Sequence, residues 1–375
     1  MIYRKKLYPL YLLRQYLSLD TFADYLKIRR KPRVIQLPIT SRCNSRCITC
    51  NIWKVKDNTD INPEKLTELF QDAFFNKVTD VGINGGEITL VQNFDNILDS
   101  VLSLKRLNAI HLISNGLLPQ KLLPLLESAK RKCMAKGVLL NIAISIDGID
   151  NVQSEVRGVP NCFKKSEYLL NELKHDPKRY ADNITIGCTL SKKNIPYVIQ
   201  TDEYLKRYPF YVQYHLAVPN KRIHTFDDAD RYFILNDEHC RLLAEEFFLG
   251  KFLESDWTDR YSYFCQYYFL KTHGRIRLAP CSYKYRDLTI DEHMKLYLCA
   301  TASEVLGDFN TENLKDILNN KRFEVVQNDI LKNCNNCIHY TYNKPTLYGF
   351  YLFVKTIVCL RWNLQKKYKI KNLWK

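Results

Sequence analysis

From residue 34 to residue 218, short apolar runs rich in Val, Ile and Leu alternate with segments of helical periodicity. The apolar runs predict strands at residues 34–40, 80–84, 109–114, 139–146, 183–190 and 210–218. Apolar residues spaced three and four apart predict helices at residues 63–76, 93–106, 119–132, 163–175 and 195–207. Asn62 followed by Pro63 is typical of a helix start. Strands that alternate with helices in this way indicate βα units and a parallel sheet.

Six βα units are fewer than a closed eight-stranded barrel needs, so the pattern predicts an α/β fold with an open, partial (βα)6 TIM-like barrel. Active sites in such folds lie at the C-terminal ends of the strands. We expect basic amphipathic helices at residues 1–33, the barrel at 34–219, a helical linker region at 220–275, a cysteine-rich segment at 276–345 and a basic amphipathic tail at 346–375.

The composition indicates a folded protein from a reducing compartment. Hydrophobic residues make up 46% of the chain and charged residues 26%, which excludes global disorder. Thirteen cysteines without a secretory leader favour metal ligation over disulfides and a cytoplasmic location. Arg14 interrupts the apolar stretch near the N-terminus, which also lacks a small-residue cleavage site, so no signal peptide is predicted.

The net charge of +16 lies mainly at the two ends of the chain. Residues 1–34 carry nine Lys or Arg and two Asp, and residues 355–375 carry seven Lys or Arg and no acid. This placement argues against nucleic acid as a partner and favours an anionic membrane surface, at the inner face of the membrane. Lys355 breaks the apolar run 347–360, which is shorter than the roughly 20 residues that span a bilayer. The alternative is that both ends are ordinary helices packed on the body with solvated lysines.

Three closely spaced cysteines follow the first predicted strand directly. Cys43, Cys47 and Cys50 form the pattern C-x3-C-x2-C. Three thiolates can hold three irons of a cubane cluster and leave the fourth iron open for a substrate or a cofactor. A tetrahedral zinc site would need a fourth nearby ligand, and neither His nor Cys follows within the loop.

With this spacing after the first strand, residues 34–218 resemble the radical S-adenosylmethionine (radical SAM) superfamily, whose fold is a partial (βα)6 barrel. The resemblance implies a [4Fe–4S] cluster on Cys43, Cys47 and Cys50 whose open iron chelates the amino and carboxylate groups of S-adenosylmethionine (SAM). It further implies reductive cleavage of SAM to a 5′-deoxyadenosyl radical. A reducing partner such as flavodoxin or ferredoxin would supply the electron.

Gly85-Gly86-Glu87, after the second predicted strand, resembles the Gly-Gly-Glu motif of that family. By resemblance, its backbone and its carboxylate take the ammonium group of SAM, and the glycines permit a close approach. The alternative is a tight turn with a solvated Glu. Ser114 and Asn115, after the third strand, correspond to residues near the ribose, although Asn-Gly is also a common turn pair.

Four further residues are candidates for contact with SAM. Ser145, at the end of the fourth strand, matches a position that often meets the ribose or the methionine end. Thr189 ends the fifth strand, and Arg157 follows the fourth. Thr49 stands where the family often has an aromatic residue, so Trp53 is a candidate to cover the adenine, with a place in the core as the alternative.

A second set of cysteines lies towards the C-terminus. Cys281, Cys299, Cys334 and Cys337 could ligate a complete cubane or a single zinc ion, and their spacing does not distinguish these. The intervening residues resemble the small α+β auxiliary domains of the superfamily, called SPASM or twitch domains, and the short form with one cluster fits better. The six other cysteines are expected to be buried small hydrophobes, with functional thiols as an alternative for Cys188 and Cys265.

Three classes of function remain: a radical enzyme acting on a small molecule or a sugar, a radical enzyme acting on a peptide, and a non-catalytic, metal-stabilised basic binding protein. The third leaves the Gly-Gly-Glu motif without a cause. Only 42 residues precede Cys43, so we do not expect the leader-binding domain of peptide-modifying relatives. A fully ligated second cluster would accept an electron, which favours oxidation of a hydroxyl-bearing carbon.

Overall fold

The computed structural model describes residues 29–279, 281–334, 337–338 and 346–368. Of the N-terminal helices predicted for residues 1–33, residues 1–28 lie outside this range, as do the last seven residues of the tail, and residues 29–33 are not helical. The strands within it are β1 Val34–Pro38, β2 Asp80–Asn84, β3 Ala109–Ser114, β4 Leu139–Ser145, β5 Asn183–Leu190, β6 Tyr211–Leu216, β7 Leu288–Ile290, β8 Lys295–Tyr297 and β9 Val305–Asp308.

The α-helices of the described range lie between these strands and after them. They are α1 Pro63–Phe70, α2 Phe94–Leu102, α3 Pro119–Ala135, α4 Asp150–Arg157, α5 Cys162–His175, α6 Pro177–Tyr180, α7 Val198–Leu205, α8 Glu238–Glu254, α9 Trp257–Lys271, α10 Leu314–Asn319, α11 Lys321–Asn333 and α12 Leu347–Tyr368.

The described strands form a single sheet in the order β6-β5-β4-β3-β2-β1-β7-β8-β9. Strands β1 to β6 are parallel to their neighbours and follow chain order. This is the predicted α/β architecture of a partial barrel, which is confirmed. Because parallel strands in chain order bring their carboxyl ends to the same edge, the loops that follow β1 to β5 can form one site.

The two faces of the parallel sheet differ in polarity. Side chains such as Ile35, Ile83, Ile110 and Ile142 are buried in the apolar core. Because successive side chains of a strand point to opposite faces, the residues between them lie on the other face, here called the inner face. Most of these residues are polar or small, and His111 is half exposed there.

The helices begin and end for local reasons. The Asn62 side chain accepts a hydrogen bond from the backbone N–H of Lys65, so the predicted N-cap of α1 is confirmed. The helix ends at Phe70, and Ala73–Phe75 form a separate 3₁₀ turn. Helix α4 is not among the predicted helices. It stops at Gly158, whose φ of +63° is the left-handed conformation typical of a helix C-terminus.

The cysteine-rich segment is joined to the barrel more closely than the predicted boundary at residue 276 implies. Strand β7 pairs in parallel with β1, and β8 and β9 continue the same sheet as antiparallel strands. The first part of the predicted linker also packs against this hairpin, because the backbone N–H of Lys221 donates to the carbonyl of Thr301 and Arg222 pairs with Glu292. The hairpin therefore extends the barrel sheet instead of forming its own sheet.

The chain divides into two compact units, and their limits differ from the predicted boundaries at 220–275 and 276–345. The first unit holds residues 29–240 and 282–334. The second unit holds, among the described residues, 241–279, 281, 337–338 and 346–368. Its core is aromatic, with Phe264 and Phe353 at a ring-centroid distance of 5.4 Å. No helix in the described part of the chain is long and apolar enough to cross a membrane.

Candidate functional site

Residues 39–54, here called the cysteine loop, follow β1 and lie against the end of β2. The backbone N–H of Gly86 donates to the carbonyl of Thr40 at 2.7 Å, and that of Glu87 to the carbonyl of Arg42 at 2.8 Å. A Cβ atom built on Gly86 would lie 1.9 Å from the carbonyl oxygen of Arg42. The Gly-Gly pair therefore lets the cysteine loop approach the β2 end, whereas the sequence alone pointed to a close approach of SAM.

Glu87 is buried, with its carboxylate directed at β3 and at its own turn. It accepts hydrogen bonds from the Ser114 hydroxyl at 2.7 Å, the Asn115 backbone N–H at 2.8 Å and the Thr89 hydroxyl at 3.0 Å. Burial raises the pKa of Glu87, while these donors act in the opposite direction. The carboxylate is not the solvated group of the alternative interpretation, and it joins the ends of β2 and β3. Its contact with the SAM ammonium stays a prediction.

Asn115 connects the end of β3 to the cysteine loop. Its amide nitrogen donates to the Asn44 side-chain oxygen at 2.7 Å and lies 3.1 Å from the Ser45 hydroxyl. Ser114 and Asn115 are both buried. The two predicted ribose contacts therefore position the loop between Cys43 and Cys47, and their role towards SAM stays a prediction.

A buried ion pair lies beside Cys47. The Arg157 guanidinium is 2.7 Å from the Asp147 carboxylate, and the two side chains are 11% and 3% exposed. Arg157 also donates to the Cys47 sulfur at 3.7 Å. Burial lowers the pKa of Arg157, but Asp147 and Cys47 together outweigh burial and raise it above its usual value. Arg157 thus places a permanent positive charge next to a predicted cluster ligand.

The backbone at the end of α4 holds the same loop. The N–H groups of Arg46 and Ile48 donate to the carbonyls of Arg157 and Val156 at 2.8 and 3.0 Å. A Cβ atom on Gly158 would lie 2.5 Å from the Arg46 carbonyl oxygen, so this glycine is required by close packing as well as by its positive φ. Sequence reasoning named Arg157 but missed the helix that positions it.

The three thiols of the loop lie close enough to disfavour one another's ionisation. Burial raises the pKa of Cys43 to about 12, and the thiols of Cys47 and Cys50 add to the shift. Burial likewise raises the pKa of Cys50 to about 11 and raises that of Cys47. Because metal ligation requires thiolates, a cationic iron core would supply the charge that these thiols need to ionise.

Hydrogen bonds to sulfur also fit an iron–sulfur cluster. The backbone N–H of Ser45 donates to the Cys43 sulfur at 3.4 Å, and that of Ile52 to the Cys50 sulfur at 3.5 Å. Such hydrogen bonds help to set the reduction potential of a cluster. With the Arg157 contact, each of the three sulfurs has a donor. The residues present therefore suit a cubane that they would hold through three thiolates.

Among the described residues, no group of three or more Cys, His, Asp or Glu side chains is arranged around a single metal ion. Each thiolate of a cubane binds a different iron, whereas the ligands of zinc share one ion and lie closer together.

The remaining SAM candidates lie in three different settings. Ser145 is on the inner face near the end of β4, and Thr189 is two strands from β3 on β5, where its backbone N–H donates to Asp147 at 2.8 Å. Trp53 is 36% exposed, and its indole N–H donates to the Cys50 carbonyl at 2.8 Å. Trp53 is therefore outside the core and beside the third cysteine.

Sequence reasoning missed His215. It pairs in register with Thr189 and lies on the inner face, because its neighbour Tyr214 is buried on the opposite face and donates to Asp202 at 2.7 Å. Burial lowers the pKa of His215 to about 4, so the imidazole is neutral at physiological pH. In the sequence, His215 is a polar residue between apolar residues of a predicted strand. This pattern fits an exposed surface position equally well.

Cysteines outside the cysteine loop lie in both units. Cys188 is buried on the apolar face of β5, with Ile186 and Leu190, as expected for a small hydrophobe. Cys265 is buried in the second unit. In the first unit, the backbone N–H of Ala302 donates to the Cys299 sulfur at 3.3 Å. The four-cysteine ligand set with Cys281, Cys334 and Cys337 stays a prediction.

Comparison with known proteins places these features in a family. Residues 37–201 match the model of the radical SAM superfamily. The chain is 30% identical over 128 residues to the molybdenum cofactor biosynthesis protein moc-5 of Caenorhabditis elegans, a match that covers 32% of this chain and 20% of that protein. It is 26% identical over 138 residues to the sporulation killing factor maturation protein SkfB of Bacillus subtilis strain 168, covering 36% of this chain and 32% of that protein.

The match therefore spans a third or less of these two curated relatives. Among solved structures, anSMEcpe with bound AdoMet has a similar fold, with a TM-score of 0.57 and 14% identity over 88% of this chain and 98% of that chain. The cysteine loop at the carboxyl edge of the sheet, the order of the six parallel strands and the match over residues 37–201 lead to one conclusion. Residues 37–201 of the chain belong to the radical SAM superfamily.

Proposed function

We propose that this chain is an enzyme that binds a [4Fe–4S] cluster through Cys43, Cys47 and Cys50, cleaves SAM reductively and removes a hydrogen atom from a substrate carbon. When bound, the cluster and SAM supply the electron and the radical for this step. The observation that carries the proposal is the set of three partly buried thiols, each with a hydrogen-bond donor, at the carboxyl edge of the parallel sheet.

The protein's own residues have positioning roles in this proposal. Glu87 and Asn115 hold the β2 and β3 ends against the cysteine loop, and Arg157 fixes the loop from the other side. Ser145, Thr189 and Trp53 are proposed to contact SAM, together with backbone groups of Gly85 and Gly86.

The inner face supports a neutral, hydroxyl-bearing small molecule or sugar as the substrate. Towards the carboxyl ends of the strands, this face carries Ser145, Thr189 and His215, which are neutral at physiological pH. Neither Lys nor Arg occupies an inward-facing position of β1 to β6, all of which are described. Uncharged donors and acceptors suit hydroxyl groups better than phosphates, which select cationic side chains.

The proposed reaction is oxidation of a secondary alcohol to a ketone. One hydrogen atom passes from the substrate carbon to the 5′ carbon of SAM, giving 5′-deoxyadenosine and methionine. The hydroxyl proton leaves to solvent, and the remaining electron passes to an acceptor, so the electron spent on SAM is recovered. We propose a second [4Fe–4S] cluster on Cys281, Cys299, Cys334 and Cys337 as that acceptor, with zinc at these residues as the alternative.

Modification of a peptide is the second candidate function. The similarity to SkfB supports it, because that relative is named as a maturation protein. Carboxamide side chains such as Asn141 and Gln213 can also bind peptide groups. In either case, we propose a reducing compartment, with flavodoxin or ferredoxin as the electron donor and with the enzyme peripheral to the inner face of the membrane.

Anaerobic reconstitution with iron and sulfide tests the cluster assignment. The wild-type chain should bind about eight irons, and the variant with Cys43, Cys47 and Cys50 all replaced by Ala should keep about half and produce no 5′-deoxyadenosine. Cys359→Ala, at an exposed lone cysteine, is the matched control and should behave as wild type. Formation of 5′-deoxyadenosine by the triple variant would refute the assignment. One retained zinc would show that the distal set is structural.

Product analysis tests the reaction. With the correct alcohol, 5′-deoxyadenosine and a product about two mass units lighter should form in equal amounts, because each cleavage of SAM removes one hydrogen from one substrate. Deuterium at the attacked carbon should appear in the nucleoside. An isomer of unchanged mass, or activity with a peptide only, would reject alcohol oxidation and leave the cluster assignment intact.

A further inference from the structure

Helix α12 exposes a continuous apolar surface. Leu347, Tyr351, Val354 and Val358, here called the outer stripe, are 66%, 57%, 42% and 59% exposed. Their spacing of four, three and four residues places them on one side of the helix. Single exposed apolar residues are ordinary on protein surfaces, but four in helical register form a patch that indicates a binding surface.

The opposite side of α12 is covered by other residues of the second unit. Phe353 is 3% exposed and lies 5.5 Å, ring to ring, from Tyr261. A Cβ atom on Gly349 would lie 2.3 Å from the Tyr261 hydroxyl, so this part of the helix packs closely. Here, within the described residues, the outer stripe is left open.

Charge identifies the kind of partner that suits the stripe. Helix α12 contains no Asp or Glu and carries Lys355, Arg361, Lys366 and Lys367 in its sequence. The Lys355 ammonium lies 5.9 Å from the centre of the Tyr351 ring, beside the stripe. A second copy of the chain would present the same positive charge and repel it. Apolar side chains flanked by cations match the interface of a bilayer that contains anionic lipids.

We propose that α12 binds the surface of an anionic bilayer, with the outer stripe among the lipid headgroups and acyl chains and with Phe353 retained in the protein core. Tyr351 is amphipathic and suits the headgroup level. The helix lies in the interface and does not cross the bilayer, in agreement with its hydropathy. This inference is independent of the proposed reaction, so either can fail without the other.

Vesicle flotation with the full-length, reconstituted protein tests the inference. Phosphatidylcholine vesicles that contain phosphatidylglycerol should carry the wild-type protein at low salt, and vesicles of phosphatidylcholine alone should bind at least tenfold more weakly. Salt should reduce the difference, since ions screen exposed charges beyond about 10 Å at 0.1 M. Equal binding to both vesicles, or binding to neither, would overturn the proposal.

Substitutions in the outer stripe distinguish vesicle binding through the stripe from vesicle binding through basic charge alone. Val354→Asp/Val358→Asp should lose at least tenfold in binding, and Lys355→Gln should lose less and show a weaker salt dependence. Ile199→Asp is the matched control, because Ile199 is an exposed apolar residue, 57% exposed, on α7 of the first unit. It should bind vesicles as wild type does.

Folding of each variant is checked by its iron content and its thermal unfolding. If the double variant does not fold, Leu347→Asp replaces it, because an acid in the first turn agrees with the helix dipole. Wild-type binding by the folded stripe variants would overturn the proposal. Concentration-dependent dimerisation that these variants abolish, measured by sedimentation without lipid, would assign the stripe to a second copy and overturn it as well.

Discussion

Gly86→Ala should disrupt the cysteine loop more than its single methyl group suggests. A Cβ atom at this position would lie 1.9 Å from the carbonyl oxygen of Arg42 and 2.5 Å from its carbonyl carbon. These are backbone atoms, so they cannot turn away as a flexible side chain would. The φ of Gly86 is outside the left-handed region, and the cost is therefore purely steric.

The magnitude follows from the contacts that would have to change. Overpacking of this kind costs about 1–3 kcal/mol. The methyl group would also push apart two backbone hydrogen bonds, from Gly86 to Thr40 and from Glu87 to Arg42, each with a net value of about 0.5–1.5 kcal/mol. Since these costs overlap, we expect the free energy of unfolding to fall by about 2–4 kcal/mol.

The effect should extend to the cluster, because Cys43 follows Arg42 directly. Displacement of Arg42 moves the first ligand relative to Cys47, whose neighbours Arg46 and Ile48 are held by α4 and not by β2. The iron bound after anaerobic reconstitution should therefore fall towards the content of the triple cysteine variant. Urea unfolding and iron analysis of the same preparation measure the two effects.

Gly187→Ala provides the matched control. Gly187 is in β5, and a Cβ atom there would have no other atom within 4 Å. Its unfolding free energy should stay within about 0.5 kcal/mol of wild type, with unchanged iron. If Gly86→Ala were as stable as Gly187→Ala and bound full iron, the loop would not depend on this close approach, and the reasoning would be refuted.

Two further predictions concern buried ionisable groups. Asp147→Asn leaves the Arg157 charge buried beside Cys47 without its partner, so the free energy of unfolding measured in urea should fall by about 3–5 kcal/mol. The double variant Asp147→Asn/Arg157→Met should recover most of that loss. Equal stability of the two variants would contradict this prediction. Because the pKa of His215 is lowered to about 4, the unfolded chain binds more protons than the folded chain below pH 6.5. The contribution of the neutral His215 side chain to the free energy of unfolding is therefore complete above pH 6.5 and is lost as the pH falls towards 4. Stability of His215→Gln measured from pH 7 to pH 4.5 should lack this decline, and identical profiles would show that His215 does not contribute.

Much of the barrel could be predicted because its signals are local. The apolar runs identified β2, β3 and β5 with the bounds that the structure has, Asp80–Asn84, Ala109–Ser114 and Asn183–Leu190. In each of these strands, alternate side chains are buried on one face of the sheet, so the pattern is visible in the strand's own sequence. Helix α4 was missed because its start, after Asp147-Gly148, has the same composition as a turn.

The hairpin was assigned to a separate domain because long-range pairing leaves no mark on a short strand. Leu288–Ile290 is only three residues long, and nothing in those residues specifies that β1 is its neighbour. Pairing with β1 depends on the open edge that six parallel strands leave and on the contacts of Arg222 and Glu292. The boundary of a domain thus depends on which edges remain unpaired.

The sequence by itself indicated the family of residues 37–201 and the cysteine ligands proposed for the cluster, because the spacing of Cys43, Cys47 and Cys50 is a property of a single short segment. Only the tertiary structure decided what holds that segment in place. Gly86, Asn115 and Arg157 lie in the segments that follow β2, β3 and β4, and they reach the same loop because parallel strands in chain order share one carboxyl edge. Contacts of this kind join residues up to 110 positions apart, and neither local periodicity nor motif spacing encodes them.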